Sequence, residues 1–290
     1  MKTEPCECTA TDHPLAPLTL YKVGGPARLA LLPQTVDEAC AAYEWMLEQG
    51  EPWLVLGGGS NVLIADEGFP GIVLVTTGLR QLLPLDGHRY WIEAGVELDT
   101  VVRELMLPEN YDGAGALAGI PGSVGGAIYM NAGTVNGSTC GFMESAEIMG
   151  REGRRTIPME PALYGYRGQR FCPPGGLILG GTFQFERSAE DQQAIYGHYI
   201  ARRQRTQPQG NCCGSVFKNP PGGHAAQLIE ACGLKGARRG GAVISEKHAN
   251  FIMNEANASS KDILALIALC KDRVWEEFGI ELTEEVSIIT

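Results

Sequence analysis

Apolar positions along residues 36–47 recur at helical spacing, with Val36, Ala39, Cys40, Tyr43 and Leu47 on one side. Thr35-Val36-Asp37-Glu38 stands at the head of that run as a capping box, so the pattern predicts a helix from Val36 that stops at Gly50. Strand-like runs flank it. Ala27 to Leu32 reads as one strand, and Trp53-Leu54-Val55-Leu56 as another that runs directly into Gly57-Gly58-Gly59-Ser60-Asn61. Gly71 to Val75 and Arg89 to Ala94 predict two more, each bounded by turns. Asp99 to Leu107 predicts a short helix ended by Pro108. Near the C-terminus, Ser259 opens a helix carrying Ile263, Leu264, Ile267, Cys270, Val274 and Trp275, which Gly279 stops. Helices and strands mix without a strict alternation, so the expected fold class is α+β. No internal repeat is visible. A polar run from Ser188 to Gln192 separates two apolar regions, and the size of the chain, 290 residues, fits two domains.

Composition narrows the class. With 44% hydrophobic and 20% charged residues the chain reads as an ordinary globular protein rather than a disordered, collagen-like or coiled-coil one. The longest apolar stretch, Gly113 to Ile128, is broken by Pro121 and by interspersed glycines, so no membrane span is expected. Met1-Lys2-Thr3-Glu4-Pro5-Cys6 lacks the apolar core of a signal peptide, which leads to the expectation of a cytoplasmic protein. Nine cysteines without an export signal argue against a disulfide framework. Cys6-x-Cys8 and the pair Cys212-Cys213 complete no zinc spacing; they read as free thiols, and no metal is expected. The net charge of −11 is unevenly spread: residues 1–145 hold 6 Lys/Arg against 18 Asp/Glu, and the remainder holds 17 against 16. Such a balance leaves no broad basic stripe for nucleic acid. Short basic clusters at Arg202-Arg203-Gln204-Arg205 and Lys235 to Arg239 are either solvated faces or contacts for a small anion.

The strongest chemical signal is two glycine-rich segments. One is Gly57-Gly58-Gly59-Ser60-Asn61; the other is Gly119-Ile120-Pro121-Gly122-Ser123-Val124-Gly125-Gly126-Ala127. Backbone without side chains can close on phosphate oxygens, and successive N–H groups form an anion-binding nest. Neither segment is a P-loop or a Rossmann fingerprint. Taken singly, each reads equally as a tight turn. Two in one region point to a large diphosphate ligand held from both sides.

These two segments, together with Met130-Asn131-Ala132-Gly133, resemble the UDP-N-acetylenolpyruvoylglucosamine reductase family, flavoenzymes of peptidoglycan precursor synthesis. The resemblance extends through Val23-Gly24-Gly25-Pro26-Ala27, Tyr164-Gly165-Tyr166-Arg167, Gly214-Ser215-Val216-Phe217-Lys218-Asn219-Pro220, Ser245-Glu246-Lys247-His248-Ala249-Asn250-Phe251 and Leu282-Thr283-Glu284-Glu285-Val286. The blocks keep the family order from about residue 18 to the end, and Leu234 through Asn254 is similar to its shorter, type II branch. The resemblance implies an FAD-binding domain of the vanillyl-alcohol-oxidase (PCMH) type over residues 1–190, with a core of about 22–188. A smaller C-terminal α+β substrate domain is implied over 191–290.

It also implies a reaction. FAD would lie on Gly57, Gly58, Gly59, Ser60 and Asn61 and on Gly119, Ile120, Pro121, Gly122, Ser123, Gly125, Gly126 and Ala127. With Ser60 and Asn61 where some flavoproteins carry an attaching histidine, the flavin would be non-covalent. NADPH would reduce it, and UDP-N-acetylglucosamine enolpyruvate would be reduced to UDP-N-acetylmuramate, the UDP-N-acetylmuramate dehydrogenase reaction. Hydride addition to the terminal CH2 leaves an enolate over the adjacent carbon and carboxylate, which calls for a cation and a proton donor. By resemblance Arg167 is the cation, Ser215 the donor, and Glu285 assists near the forming centre. Tyr166, Lys218, Asn219 and, more weakly, Arg205 are implied as substrate contacts, while His248 reads equally as a structural histidine. The implied partners are this sugar nucleotide and NADPH, with no nucleic acid, no membrane and a monomeric chain. The implied context is cell wall biogenesis, and with it cell shape, the cell cycle and division.

Two departures from the pattern concern packing on the flavin side. Leu20 stands where a hydroxyl residue is common, and Thr134 to Cys140 replaces the usual continuation after Asn-Ala-Gly. Two other readings stay open from the sequence. One is an FAD-dependent oxidase or dehydrogenase of the same superfamily, which would not need Arg167, Ser215 and Glu285 together. The other is a non-catalytic flavin or sugar-nucleotide binding module.

Overall fold

The computed structural model describes residues 9–134 and 136–290; Cys6 and Cys8 lie outside the described residues. Two compact units result, and neither is one continuous stretch of chain. The larger comprises the segment ending at Thr11 with Leu29–Gly58 and Gly71–Arg202, and the smaller comprises Asp12–Arg28, Gly59–Pro70 and Arg203–Thr290. The mixed order of helices and strands is the expected α+β class.

In the larger unit the helix Val36–Glu48 forms where its periodicity placed it. The Thr35 hydroxyl caps it by accepting from the Glu38 N–H. The return bond of the expected box shifts outward by one residue, because the Glu38 carboxylate accepts from the Gln34 N–H at 2.7 Å. Ala39, Ala42, Tyr43 and Met46 pack on Leu29, Leu31, Ile72 and Leu74, so the helix covers the parallel pair of strands Trp53–Leu56 and Phe69–Val75. A five-stranded antiparallel sheet follows, ordered Gly153–Pro158, Met143–Gly150, Leu177–Gln184, Arg89–Glu93 and Leu82–Pro84. Leu177 and Leu179 of its central strand enter the core beneath the helix, while Ile178 and Phe183 enter a second core with Ile92, Val124 and Ile148. Both faces of this sheet are therefore covered.

The helix expected over Asp99 to Leu107 is one α-turn, Leu98–Thr100, that widens into a π-helical segment, Val101–Met106. The widening leaves Val101, Val102, Leu105 and Met106 all buried.

The smaller unit packs its helices Ala225–Ala231 and Ser260–Phe278 against a three-stranded sheet of Arg238–Arg239, Ala242–Ile244 and Ile252–Asn254. The long helix has a complete capping box between Ser259 and Asp262, and Gly279 ends it in the left-handed conformation. Asp66 adds a second cap, accepting the Ser260 N–H at 2.9 and 3.0 Å on its two oxygens. That contact fastens the excursion Gly59–Pro70 to this unit, as does the parallel pairing of Val62–Ile64 with Ser287–Ile289. Trp275, expected on the apolar side of the helix, is 61% exposed.

Cys40, Cys140, Cys172, Cys212, Cys213, Cys232 and Cys270 are free thiols. Burial pushes Cys140, Cys213 and Cys270 up to about 12, which keeps them protonated and unreactive at neutral pH. Among the described residues no helix is long and apolar enough to cross a membrane, and no three His, Cys, Asp or Glu side chains gather as a metal would require.

Candidate active site

The strand Trp53–Leu56 delivers Gly57 and Gly58 onto the second glycine segment. There Ser123 caps the helix Val124–Tyr129 by accepting from the Gly126 N–H, and the same hydroxyl accepts from the Gly58 N–H at 3.1 Å. The approach is backbone to backbone. A Cβ on Gly58 would sit 2.7 Å from Ser123 N and 3.1 Å from Gly122 Cα, closer than carbon packs, so only glycine fits.

The two segments divide their tasks. The N–H groups of Gly125 and Ala127 bond Ala94 O and Ser123 O, which commits those residues to local structure. The N–H groups of Gly57, Gly119, Gly122 and Ser123 bond no acceptor among the described residues. The same holds for Gly59, Ser60 and Asn61 in the smaller unit. At Gly126 the Cβ direction is open, its nearest neighbour being Ser123 Oγ at 3.7 Å.

In the larger unit Arg167 lies on the tip of a two-stranded hairpin, Tyr164–Gly165 with Gly168–Gln169. Its φ of +54° is a left-handed conformation that a side chain adopts at a cost, and such outliers gather at functional sites. The hairpin is held from below. Asn131, buried and itself left-handed at φ +43°, donates from Nδ2 to Gly165 O at 2.9 Å and accepts the Cys140 N–H on Oδ1. Arg167 Nη1 reaches Gly133 O at 3.3 Å, and its guanidinium lies 5.3 Å from the centre of the Tyr166 ring. Tyr166 is 67% exposed.

In the smaller unit Gly214, at φ +74°, turns the chain into Ser215. The following residues pair with the C-terminal segment: Glu285 N–H donates to Val216 O at 2.7 Å, and Lys218 N–H donates to Thr283 O at 2.9 Å. The pairing sets Phe217 opposite Glu284, so the segment that carries Ser215 runs beside the segment that carries Glu285. Asn61 joins them, donating from Nδ2 to Glu285 O at 2.9 Å. The neighbouring Glu284 is taken up by an ion pair with Lys271 at 2.8 Å, which separates the tasks of the two glutamates. Asn219 is exposed, and its Oδ1 accepts the Ala225 N–H at the start of the helix Ala225–Ala231. Arg205 is exposed on the helix Gln192–Thr206.

Two asparagines carry weight that the sequence reading did not assign. Asn131 seats the arginine hairpin, and Asn250 holds the serine segment. Both lie inside the quoted motifs, yet their partners are 34 and 33 residues away in the chain, and only the fold reveals them.

The glycine nests and the open space at Gly126 fit a diphosphate-bearing flavin. Residues 27–156 match a family model for an FAD binding domain, which defines the class. Residues 206–289 match the model of the UDP-N-acetylenolpyruvoylglucosamine reductase C-terminal domain. The chain is 39% identical to the UDP-N-acetylenolpyruvoylglucosamine reductase of Chloroflexus aggregans over 287 residues, covering 96% of each chain. It is 40% identical to that of Geobacter sulfurreducens, covering 96% of this chain and 92% of the relative. The crystal structure of the reductase from Thermus caldophilus superposes with a TM-score of 0.79 at 33% identity, covering 97% and 98% of the two chains. The chain belongs to the UDP-N-acetylenolpyruvoylglucosamine reductase family.

Proposed function

We propose that this chain reduces the enolpyruvyl group of UDP-N-acetylglucosamine enolpyruvate to UDP-N-acetylmuramate, drawing electrons from NADPH through a non-covalent FAD. Likeness to named reductases over nearly its whole length carries this reading. In this proposal residues 1–190 hold the flavin and contribute Tyr166 and Arg167 to substrate binding, and residues 191–290 supply the remaining sugar-nucleotide contacts. The protein works as a cytoplasmic monomer supplying a precursor on which cell shape and division depend.

Bound FAD supplies the hydride for the enolpyruvyl CH2. The chain supplies the rest. N–H groups of Gly57, Gly59, Ser60, Asn61, Gly119, Gly122 and Ser123 take the diphosphate oxygens, since they have donors to offer. Arg167 faces the substrate carboxylate with a planar fork that matches both oxygens, and steadies the enolate charge. Ser215 delivers the proton from Oγ to the α-carbon, and Glu285 is the carboxylate of that same paired segment. Tyr166, Lys218, Asn219 and Arg205 contact the sugar nucleotide. At Asn219 the contact falls to Nδ2, because Oδ1 is engaged with the Ala225 N–H.

Ser215→Ala separates the two half-reactions. Reduction of the flavin by NADPH should stay near wild type, while its reoxidation by the enolpyruvyl substrate should slow by about 10²-fold or more, the contribution of a general acid. Equal slowing of both would mean that Ser215 holds structure instead.

A further inference from the structure

We propose that Asn250 is the positioning residue that sets Ser215 and Glu285 in register for proton delivery, an inference that rests on the function proposed above. Asn250 is 3% exposed, and all of its hydrogen-bonding capacity toward this segment is engaged. Oδ1 accepts the Phe217 N–H at 2.9 Å, Nδ2 donates to Phe217 O at 2.8 Å, and its main-chain oxygen accepts the Val216 N–H at 2.9 Å. The carboxamide thus acts as a strand neighbour of one residue's length. It grips the peptide groups on one side of the segment, while the C-terminal segment grips the other: Val216 O accepts from Glu285 N–H and Val286 N–H.

Asn250 is itself fixed. It sits in a turn where Ser245 Oγ accepts the N–H groups of Lys247 and His248, and where Ser245 N–H and Phe251 N–H bond Phe251 O and His248 O. Ser215 therefore belongs to a ladder clamped from two directions. Among similarly sized side chains, asparagine at any pH and aspartic acid only when protonated offer one donor and one acceptor at this separation. A displacement of about 1 Å at a reacting group costs on the order of 10²-fold in rate, so the clamp has catalytic consequences without touching substrate.

Asn250→Asp is the informative variant, because protonation converts its effect. An ionised aspartate still accepts from Phe217 N–H but turns a second oxygen toward Phe217 O; a protonated one donates again and restores both bonds. Burial favours the protonated form. The titratable groups on the segments that meet this position are Lys218, Glu284 and Glu285, with Glu246, Lys247 and His248 on its own turn, and comparison with wild type at each pH cancels their own titration.

The experiment uses the flavin-loaded chain, measuring reduction by NADPH and reoxidation by the enolpyruvyl sugar nucleotide separately at about pH 8.5 and about pH 6. At the higher pH the variant should be reduced at the wild-type rate and reoxidised at least about 10-fold more slowly. At the lower pH reoxidation should return to within about threefold of wild type. Relative to wild type at the same pH, amide exchange at Phe217 and Glu285 should be faster in the variant at the higher pH and alike at the lower, while the helix Ser260–Phe278 keeps its wild-type protection at both. Asn250→Ala, which cannot be rescued by acid, should show the slow reoxidation at both pH values. Wild-type reoxidation in either variant at the higher pH, equal slowing of both half-reactions, or loss of folding in both variants would overturn the proposal. Failure of the wild-type flavin to be reoxidised by the sugar nucleotide would instead overturn the function on which it rests.

Discussion

Replacing Gly126 by alanine tests whether the second glycine segment is a cradle or merely a turn. Ser123 Oγ, at 3.7 Å, is the one atom that a Cβ at this position meets, an ordinary contact, so the folded chain has room for the methyl. Gly126 lies inside the helix Val124–Tyr129, where alanine is favoured over glycine by roughly 0.5–1 kcal/mol. The flavin-free protein should therefore become slightly more stable. If the open space is where the flavin diphosphate lies, the same methyl occupies ligand volume. Overpacking of a fitted contact costs about 1–3 kcal/mol, or roughly 5- to 150-fold in affinity. The assay pairs denaturant unfolding of the flavin-free chain with FAD titration followed by quenching of flavin fluorescence. Opposite movements of stability and affinity are expected. Unchanged affinity would refute the cradle, and parallel losses would place the damage in the fold.

Other perturbations address the chemistry and the pH response. Arg167→Lys keeps the charge and loses the fork, so NADPH oxidation at saturating substrate should fall mainly in kcat. Activity within about threefold of wild type, less than 1 kcal/mol, would remove Arg167 from the enolate. Glu285→Gln keeps the backbone pairing with Val216; a loss in kcat with unchanged flavin binding is expected, and wild-type kcat would show that the carboxylate is not used. Burial of His248, reinforced by Lys235, holds its imidazole below the ordinary histidine range, and Nδ1 is buried without a hydrogen-bond partner among the described residues. The unfolded chain then binds a proton that the folded chain resists, so stability is full above about pH 6.5 and falls as the pH drops toward the folded value. Urea midpoints of His248→Gln should decline less than those of wild type over that window; identical slopes would count against it.

Helix ends were legible because their signals are local. Thr35 before an apolar periodicity, and Ser259 before another with Gly279 behind it, state where a helix starts and stops. The half-buried strands Trp53–Leu56 and Arg89–Glu93 were legible for the same reason. Leu177–Gln184 escaped, because a strand buried on both faces shows no alternation, and Gly180 and Gly181 interrupt its apolar run. The interleaving of the two units also had no local signature. It depends on contacts such as Asp66 with Ser260, separated by 194 residues. At the site, motif residues were visible as types, and the glycine segments as a diphosphate signal. Which of their N–H groups remain available, and which side chains are spent on capping or clamping, is decided by partners distant in the chain, as at Asn219, Asn131 and Asn250.

The central claim is that reduction of an enolpyruvyl sugar nucleotide is coupled to NADPH oxidation on this chain. The direct measurement follows NADPH oxidation by the yellow protein under anaerobic conditions and in air, each with and without UDP-N-acetylglucosamine enolpyruvate. Sustained oxidation only with the sugar nucleotide, and one UDP-N-acetylmuramate formed for each NADPH consumed, is the predicted result. Oxidation that needs oxygen instead, or that proceeds without UDP-N-acetylmuramate appearing, would contradict it.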